Sequence, residues 1–327
     1  MELLTNQSTS SMIIEEAEII KESTGNFIGA NTKKVTLEHL RDKCNIPVFS
    51  KDNETTISHF QFIDETLSVV KSLFPTETVN EPTIRVSHIV KGRIPSAIGK
   101  PARDLLENEK TIYYERCAFV IEIPTIKENV NNNGLTLSVG GVRAYNQENL
   151  YSKKSLEKFK LFIGFKNMVC TNLCVSTDGF SNTIRIGSIL DLEQQIRQLF
   201  SSYNKEAHLG MMEKMSAFQL RESQFAHLIG KMRMYQHLSK VEQKQLISIT
   251  LNDSQINSVV KDYYTCSNFG RDEEGSINLW NLYNLFTEAN KNSYIDSNLE
   301  RNVNAYELIN NVGNSLQNGT ANWLLPS

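Results

Sequence analysis

TIYYERCAFVIEIP, residues 111–124, is the longest run of β-favouring residues in the 327-residue chain, and its reading decides the fold. Tyr, Phe, Ile and Val fit a pleated, buried surface, so these positions predict a central strand. Upstream, Thr83–Val90 alternates with period two. Downstream, Asn131-Asn132-Asn133-Gly134 supplies a turn, because Asn and Gly tolerate positive φ. LTLSVGGVRAYN (135–146) then reads as a further strand, in which Gly140-Gly141 predicts a bulge or a close backbone approach. Lys160–Phe165, Met168–Val175 and Thr183–Ile186 complete a sheet of five or six mostly antiparallel strands, with Thr177-Asp178-Gly179 at a hairpin tip.

The flanks change period. Met12–Glu22 predicts a short amphipathic helix after a polar start. Val35–Cys44 predicts another, with Thr36 as N-cap and Glu38 in its first turn. Phe62–Phe74 carries apolar residues at helical spacing until Pro75. Beyond Gly187 the chain reads as helical: Ile189–Lys214, a helix opened by the capping box Ser239–Glu242, then Asn252–Tyr263, Ser276–Asn290 and Leu299–Asn314. Trp280, Tyr283 and Phe286 form a core stripe on one of these helices. Strands followed by helices, without βαβ alternation, define an α+β fold. A mostly antiparallel sheet is expected in the middle of the chain, with N-terminal helices packed on it and a helical C-terminal region. The expected organisation is a polar N-terminal segment with a short helix at 1–33, a sheet domain at 34–188 and a helical region at 189–327.

Composition sets limits. With 40% hydrophobic and 22% charged residues, 16 Gly and 7 Pro, the chain is not wholly disordered, collagenous or a coiled coil. No stretch approaches the ~20 apolar residues of a membrane helix. The opening MELLTNQSTSSMIIEEAEII lacks the basic and apolar regions of a secretory signal. Five scattered cysteines (Cys44, Cys117, Cys170, Cys174, Cys266) make no disulfide scaffold. A reducing cytoplasm is the expected setting.

A net charge of −3 conceals segregation: −6 over residues 1–84, +6 over 85–188, +2 over 189–252 and −5 over 253–327. Such a field steers an anionic partner toward one face, although the same lysines could simply solvate a sheet and its loops. RVSHIVKGRIPSAIGKPAR (85–103) holds Arg85, Lys91, Arg93, Lys100 and Arg103 with no acid. YSKKSLEKFKLFIGFK (151–166) holds Lys153, Lys154, Lys158, Lys160 and Lys166 against Glu157, interleaved with Tyr151, Phe159, Phe162 and Phe165. Cations for phosphates and rings for bases are what a single-stranded DNA site needs. In that reading Arg85, Lys91, Arg93, Lys100, Arg103, Lys153, Lys154, Lys158 and Lys160 meet phosphates while Tyr151 or Phe159 stacks. At least two of Phe159, Phe162 and Phe165 are as readily core. Loops at alternating strand ends gather on one rim, so the two runs are expected to share a positive surface. On opposite rims they would mean nothing together.

Chemistry-bearing motifs are missing. There is no phosphate loop, GxGxxG after a strand, GxSxG elbow or HExxH pair, and no cofactor or metal is implied. Cys170-x-x-x-Cys174 without a second pair reads as core cysteines before zinc. A Cys-His-Asn constellation of Cys170, Asn172 and His88 or His59 requires these side chains within ~10 Å. Asp272-Glu273-Glu274 reads as a solvated loop. With the acidic N-terminal segment it offers an alternative, a DNA-mimicking surface for a protein partner such as a host defence enzyme.

IPVFSKDNETTISHF (46–60), RVSHIVKGRIPSA (85–97), YYERCAFVIEIP (113–124), VGGVRAYNQENLYSKK (139–154) and FIGFKNMVCTNLCVSTDGF (162–180) resemble domain-of-unknown-function family 3871. The resemblance covers residues 34–327, including the C-terminal ANWLL. A looser similarity links the chain to the plasmid and phage family of unknown function 932, which also places a Cys-x-Asn after a strand and a Trp-x-x-x-Asn helix before a helical tail. Cys170-Thr-Asn172 and Trp280–Asn284 occupy those places here. The resemblance implies a Bacteroidetes mobile-element setting, with replication, transfer or recombination machinery as partners. No catalytic residue transfers with it.

Overall fold

A computed structural model describes residues 26–29, 31–44, 57–97, 99–147 and 156–326. The helix expected at 12–22 lies outside them. β1 (Lys33–Val35), an edge strand the sequence reading lacked, leads into α1 (Leu37–Lys43), where the Thr36 hydroxyl accepts from the His39 N–H as an N-cap. α2 (His59–Leu73) begins three residues before its apolar stripe, because Ser58 and Gln61 form a capping box there.

The long β signal is two strands. β2 (Thr83–Val86) and β3 (Ile89–Arg93) run out along one side of a bent hairpin; β4 (Lys110–Tyr114) and β5 (Arg116–Val130) return along the other. Val86 faces Cys117 and Ile89 faces Tyr114. Between them the Arg116 N–H donates to the Ser87 hydroxyl at 3.0 Å. A side-chain oxygen thus occupies a ladder position, and the far half of the hairpin leaves the sheet. β6 (Asn133–Ala144) follows a tight turn with Asn131 and Asn132 at φ 48° and 62°. β7 (Glu157–Asn167), β8 (Leu173–Cys174) and β9 (Phe180–Ile186) complete a seven-stranded antiparallel sheet ordered β1-β2-β5-β6-β7-β8, with β9 also on β7.

Gly140 and Gly141 mark a close approach and no bulge, since Val120 and Phe119 pair with them in unbroken register. A Cβ on Gly140 would meet Phe162 Cε1 at 2.7 Å, and one on Gly141 would meet Phe62 Cζ at 2.6 Å. Adjacent strand residues face opposite sides, so one glycine lets the sheet curl and the other admits α2. The register shift lies further along, between Ile123 and Lys127.

The helix expected over 189–214 is two, α3 (Ile189–Ser202) and α4 (Lys205–Ser216), because Asn204 caps the second. Asp178 holds the Asn204 N–H at 2.8 Å. After β10 (Gln219–Leu220) come α5 (Glu222–Tyr235), α6 (Lys240–Gln245) and α7 (Asp253–Thr265), then β11 (Ile277–Asn278), α8 (Leu279–Asn290) and α9 (Ile295–Asn318). One hydrophobic core, from Leu40 to Leu324, contains α2, residues of the sheet and the Trp280–Tyr283–Phe286 stripe. A second lies on the opposite side of the sheet, where Ala118, Val120, Val142 and Phe162 meet Ile295, Leu299 and Val303 of α9. The protein is therefore α+β, with its sheet covered on both sides.

Candidate nucleic-acid interface

The β3–β4 hairpin, residues 89–114, is an arm outside the main sheet. It carries Lys91, Arg93, Lys100, Arg103 and Lys110 against Asp104, Glu107 and Glu109. Lys91 is exposed opposite Ile112 and makes no hydrogen bond or ion pair among the described residues. The other cations brace the arm. The Arg93 guanidinium donates to the Lys100 carbonyl, and Lys100 pairs with Glu109. Arg103 lies 3.7 Å from Asp104 and Lys110 lies 2.5 Å from Glu107. Cys44 bridges to Ile112 on the other edge of β4. Exposed Lys43, at the end of α1, therefore sits about two strand spacings, ~10 Å, from Lys91.

Three expected contacts are internal and cannot reach a ligand. Arg85 is buried in β2, its guanidinium bonded to the Thr32 hydroxyl at 2.9 Å and carbonyl at 2.8 Å. Lys160 is buried against α9, donating to the Asp296 carbonyl at 2.5 Å and Glu300 at 2.8 Å. Phe159 is core, 4.6 Å from the Phe62 ring, and Phe162 and Phe165 are buried with it. Arg85 is drawn in by Thr32, while Phe159 and Lys160 lie on β7, which has packed elements on both faces, so its alternation carries no solvent side. Lys158 donates to the Gln147 carbonyl at 2.7 Å. Tyr151, Lys153 and Lys154 lie outside the described residues.

Strand direction decides where the two runs leave the sheet. Arg116, the first residue of β5 and two past the end of the arm, pairs with Ala144, the last residue of β6. The arm and the β6–β7 connection therefore depart from the same rim. The start of α9 reaches that rim too. Tyr294, 70% exposed, presents its ring to the Arg116 guanidinium at 5.7 Å. Arg116 is flanked by Glu115 at 3.1 Å and Asp296 at 3.6 Å.

Beneath the rim is a buried ion pair. Arg143 donates to Glu157 at 2.7 Å and to the Ile57 carbonyl, and Glu157 accepts the Ile57 N–H at 3.1 Å. The guanidinium lies 4.5 Å from the Tyr145 ring and 4.6 Å from that of Phe159. His59 bonds the Tyr114 carbonyl at 2.8 Å. Burial, aided by Arg143, holds the His59 pKa down to about 3, so the ring stays neutral.

Cys170 sits beyond the opposite end of β7. The Cys-x-Asn and Trp-x-x-x-Asn strings meet there. Asn284 Oδ1 accepts from Asn167 at 2.9 Å and lies 3.6 Å from Cys170 Sγ, while the Asn284 carbonyl accepts from Asn172 at 2.9 Å. Asn284 itself donates to the Trp280 carbonyl at 2.9 Å, and Trp280 donates to Asn133 at 2.6 Å. Lys291 donates to the Cys170 carbonyl and, at 3.2 Å, to the Thr171 hydroxyl. Burial pushes the Cys170 thiol up to about 12, which keeps it protonated and unreactive. His88 is exposed at the root of the arm and His59 lies under the same rim. Most of an eleven-residue strand separates them from Cys170, so the Cys-His-Asn constellation is not assembled. The Asp272 carboxylate accepts the N–H groups of Glu274 and Ser276 at 3.1 and 2.7 Å, which makes the acidic run a tight turn.

The arm cations were within reach of a sequence reading in different degrees. Lys110 stands just past the first basic run, masked by Glu107 and Glu109. Lys43, Arg116 and Tyr294 carry no local signal, because only strand pairing and the start of α9 bring them near the arm.

Fold and rim together define an α+β protein with a sheet covered on both faces and a basic hairpin arm. The chain belongs to the family described as "Domain of unknown function, B. Theta Gene description (DUF3871)", which matches residues 7–325. No curated protein and no solved structure matches the chain. Among the described residues no helix is long and apolar enough to cross a membrane.

Proposed function

We propose that this protein is a non-enzymatic, cytoplasmic accessory protein of a mobile element that binds single-stranded DNA along the arm and its rim. The observation that carries the reading is the gathering of Lys91, Arg93, Lys100 and Arg103 on one hairpin outside the main sheet. The ion pairs of Lys100, Arg103 and Lys110 involve cation side chains that are 45%, 86% and 46% exposed. The Arg103–Asp104 and Lys110–Glu107 pairs are exposed on both sides and worth about 0–1 kcal/mol, so a phosphate can replace the carboxylate there, whereas Lys100 is tied to the buried Glu109. Each phosphate contact on a single strand steepens the salt dependence by about 0.7 in the log–log slope. The acidic ends of the chain oppose indiscriminate binding and favour solubility. Titration of a labelled oligonucleotide at ~50 mM salt, where phosphate contacts are strongest, tests the reading. No binding there overturns it.

A protein-binding module, such as an inhibitor of a host defence enzyme, is the second reading. Leu106 at the far end of the arm is 61% exposed, and Ile89 is exposed at its root. An apolar tip braced by internal ion pairs suits a protein partner. Loss of partner capture on charge reversal at Asp272–Glu274 or on Leu106→Asp at the arm tip, with neutralisation of Lys91 and Arg103 harmless, would favour it.

A further inference from the structure

We infer that Tyr294 is a base-stacking platform for single-stranded DNA at the root of the arm, with Arg116 as its positioning residue. The inference rests on the single-strand reading above and adds a site to it. Tyr294 occupies the N-cap position of α9, yet its side chain makes no capping bond, and its ring is left 70% exposed. A ring with that much free face contributes little to the core. The Arg116 guanidinium, 5.7 Å from the centroid, supports it from one side.

Arg116 is poorly placed to hold a phosphate. Glu115 and Asp296 flank it, and its side chain is only 20% exposed. The local field there repels a phosphate, while an uncharged base is indifferent to it. The arm offers the complementary element. Lys91 pairs with Ile112, four residues before Arg116 on the same ribbon, about 13 Å at ~3.3 Å per residue. That span is a few nucleotides of an extended strand. Phosphates would run along the arm while one base turns onto Tyr294. Stacking uses a π-face that every base has, so the subsite is blind to sequence.

The test compares the wild-type protein with Tyr294→Ala, Tyr294→Phe and Lys91→Ala. Each is titrated across a range of salt with a labelled mixed-sequence single strand and with the same strand made abasic. Tyr294→Ala should weaken binding of the base-bearing strand by about fivefold to 150-fold, leave its salt slope unchanged and leave the abasic strand unaffected. Tyr294→Phe should bind as wild type. Lys91→Ala should lower the slope by about 0.7 on both strands. Wild-type affinity in Tyr294→Ala overturns the inference, as does an equal loss on both strands. Either result, with the Lys91→Ala slope change intact, leaves the single-strand reading standing. If wild-type protein binds neither strand at ~50 mM salt, that reading fails and the subsite with it. Thermal melts of the variants check that this exposed position leaves the fold unchanged.

Discussion

Asn167, the last residue of β7, donates to Asn284, in the middle of α8, at 2.9 Å with both side chains fully buried. The two lie 117 residues apart, and the bond fastens the helical part of the chain to the sheet. Asn284 also accepts from Asn172 through its carbonyl and donates to the Trp280 carbonyl. Removing the Asn284 side chain is costly, because the buried Asn167 amide loses its acceptor without gaining water, while the Asn172 bond to the Asn284 backbone carbonyl survives.

Asn284→Ala should therefore destabilise the protein by about 2–4 kcal/mol, more than one lost hydrogen bond, since Asn167 loses its acceptor in a dry interior. Urea unfolding measures it. A loss under ~0.5 kcal/mol, the usual effect at an indifferent surface site, would show that the junction is held by apolar packing alone.

Gly141→Ala should be at least as harmful as a typical overpacked core, about 1–3 kcal/mol or more. The new Cβ would lie 2.6 Å from Phe62 Cζ and 2.6 Å from the Lys160 carbonyl oxygen. The ring can tilt, but the strand peptide cannot withdraw. Gly210→Ala, where a Cβ meets nothing within 4 Å, is the control and should be neutral or mildly stabilising.

Stability should fall as pH drops below the ordinary histidine range. Burial lowers His59 to about 3 and His208 to about 4 in the folded state, whereas both titrate near 6.5 when unfolded. Below that value the unfolded chain takes up protons that the folded chain refuses. Each histidine then costs about 1.4 kcal/mol per pH unit until its folded pKa is reached. Above pH ~7 neither contributes a slope. His208→Gln should lower the acid slope of stability, measured by denaturant unfolding between pH 6 and 4, by about 1.4 kcal/mol per pH unit, the contribution of one histidine. An unchanged slope would mean that carboxylates alone govern acid unfolding.

Arm charge should act on binding and not on folding. Lys91→Ala combined with Arg103→Ala should lower the salt slope for single-stranded DNA by about 1.4 and shift the melting temperature negligibly, because the Arg103 side chain is 86% exposed and Lys91 is also exposed. Arg85→Ala should do the reverse. It should destabilise the protein through the lost Thr32 bonds while leaving the slope intact.

Much of the fold is legible without coordinates. The alternating segments that become β6, β7 and β9, the Thr36 cap, the Ser239–Glu242 capping box and the Trp280–Tyr283–Phe286 stripe appear where the residues place them, whereas of the strand expected over Met168–Val175 only Leu173–Cys174 forms, after a turn at 168–170. Each depends on neighbours a few positions away, and propensity, capping and amphipathic period are local properties of the chain. The clustering of four of the five cations of the 85–103 run on one arm is local in the same sense.

Tertiary structure decided the rest. Arg85 and Lys160 have the composition of surface cations, yet Thr32, Asp296 and Glu300 take them inside. Phe159 reads as a platform beside lysines, yet β7 is a covered strand. The 111–124 run divides at Glu115 because Ser87, across the hairpin, takes a ladder bond. Tyr294 stands beside Arg116 only because α9 begins at the rim where β5 starts. A residue's charge, shape and backbone preference belong to the sequence. Its partner and the side on which solvent remains are set by contacts between segments far apart in the chain, which only the folded protein brings together.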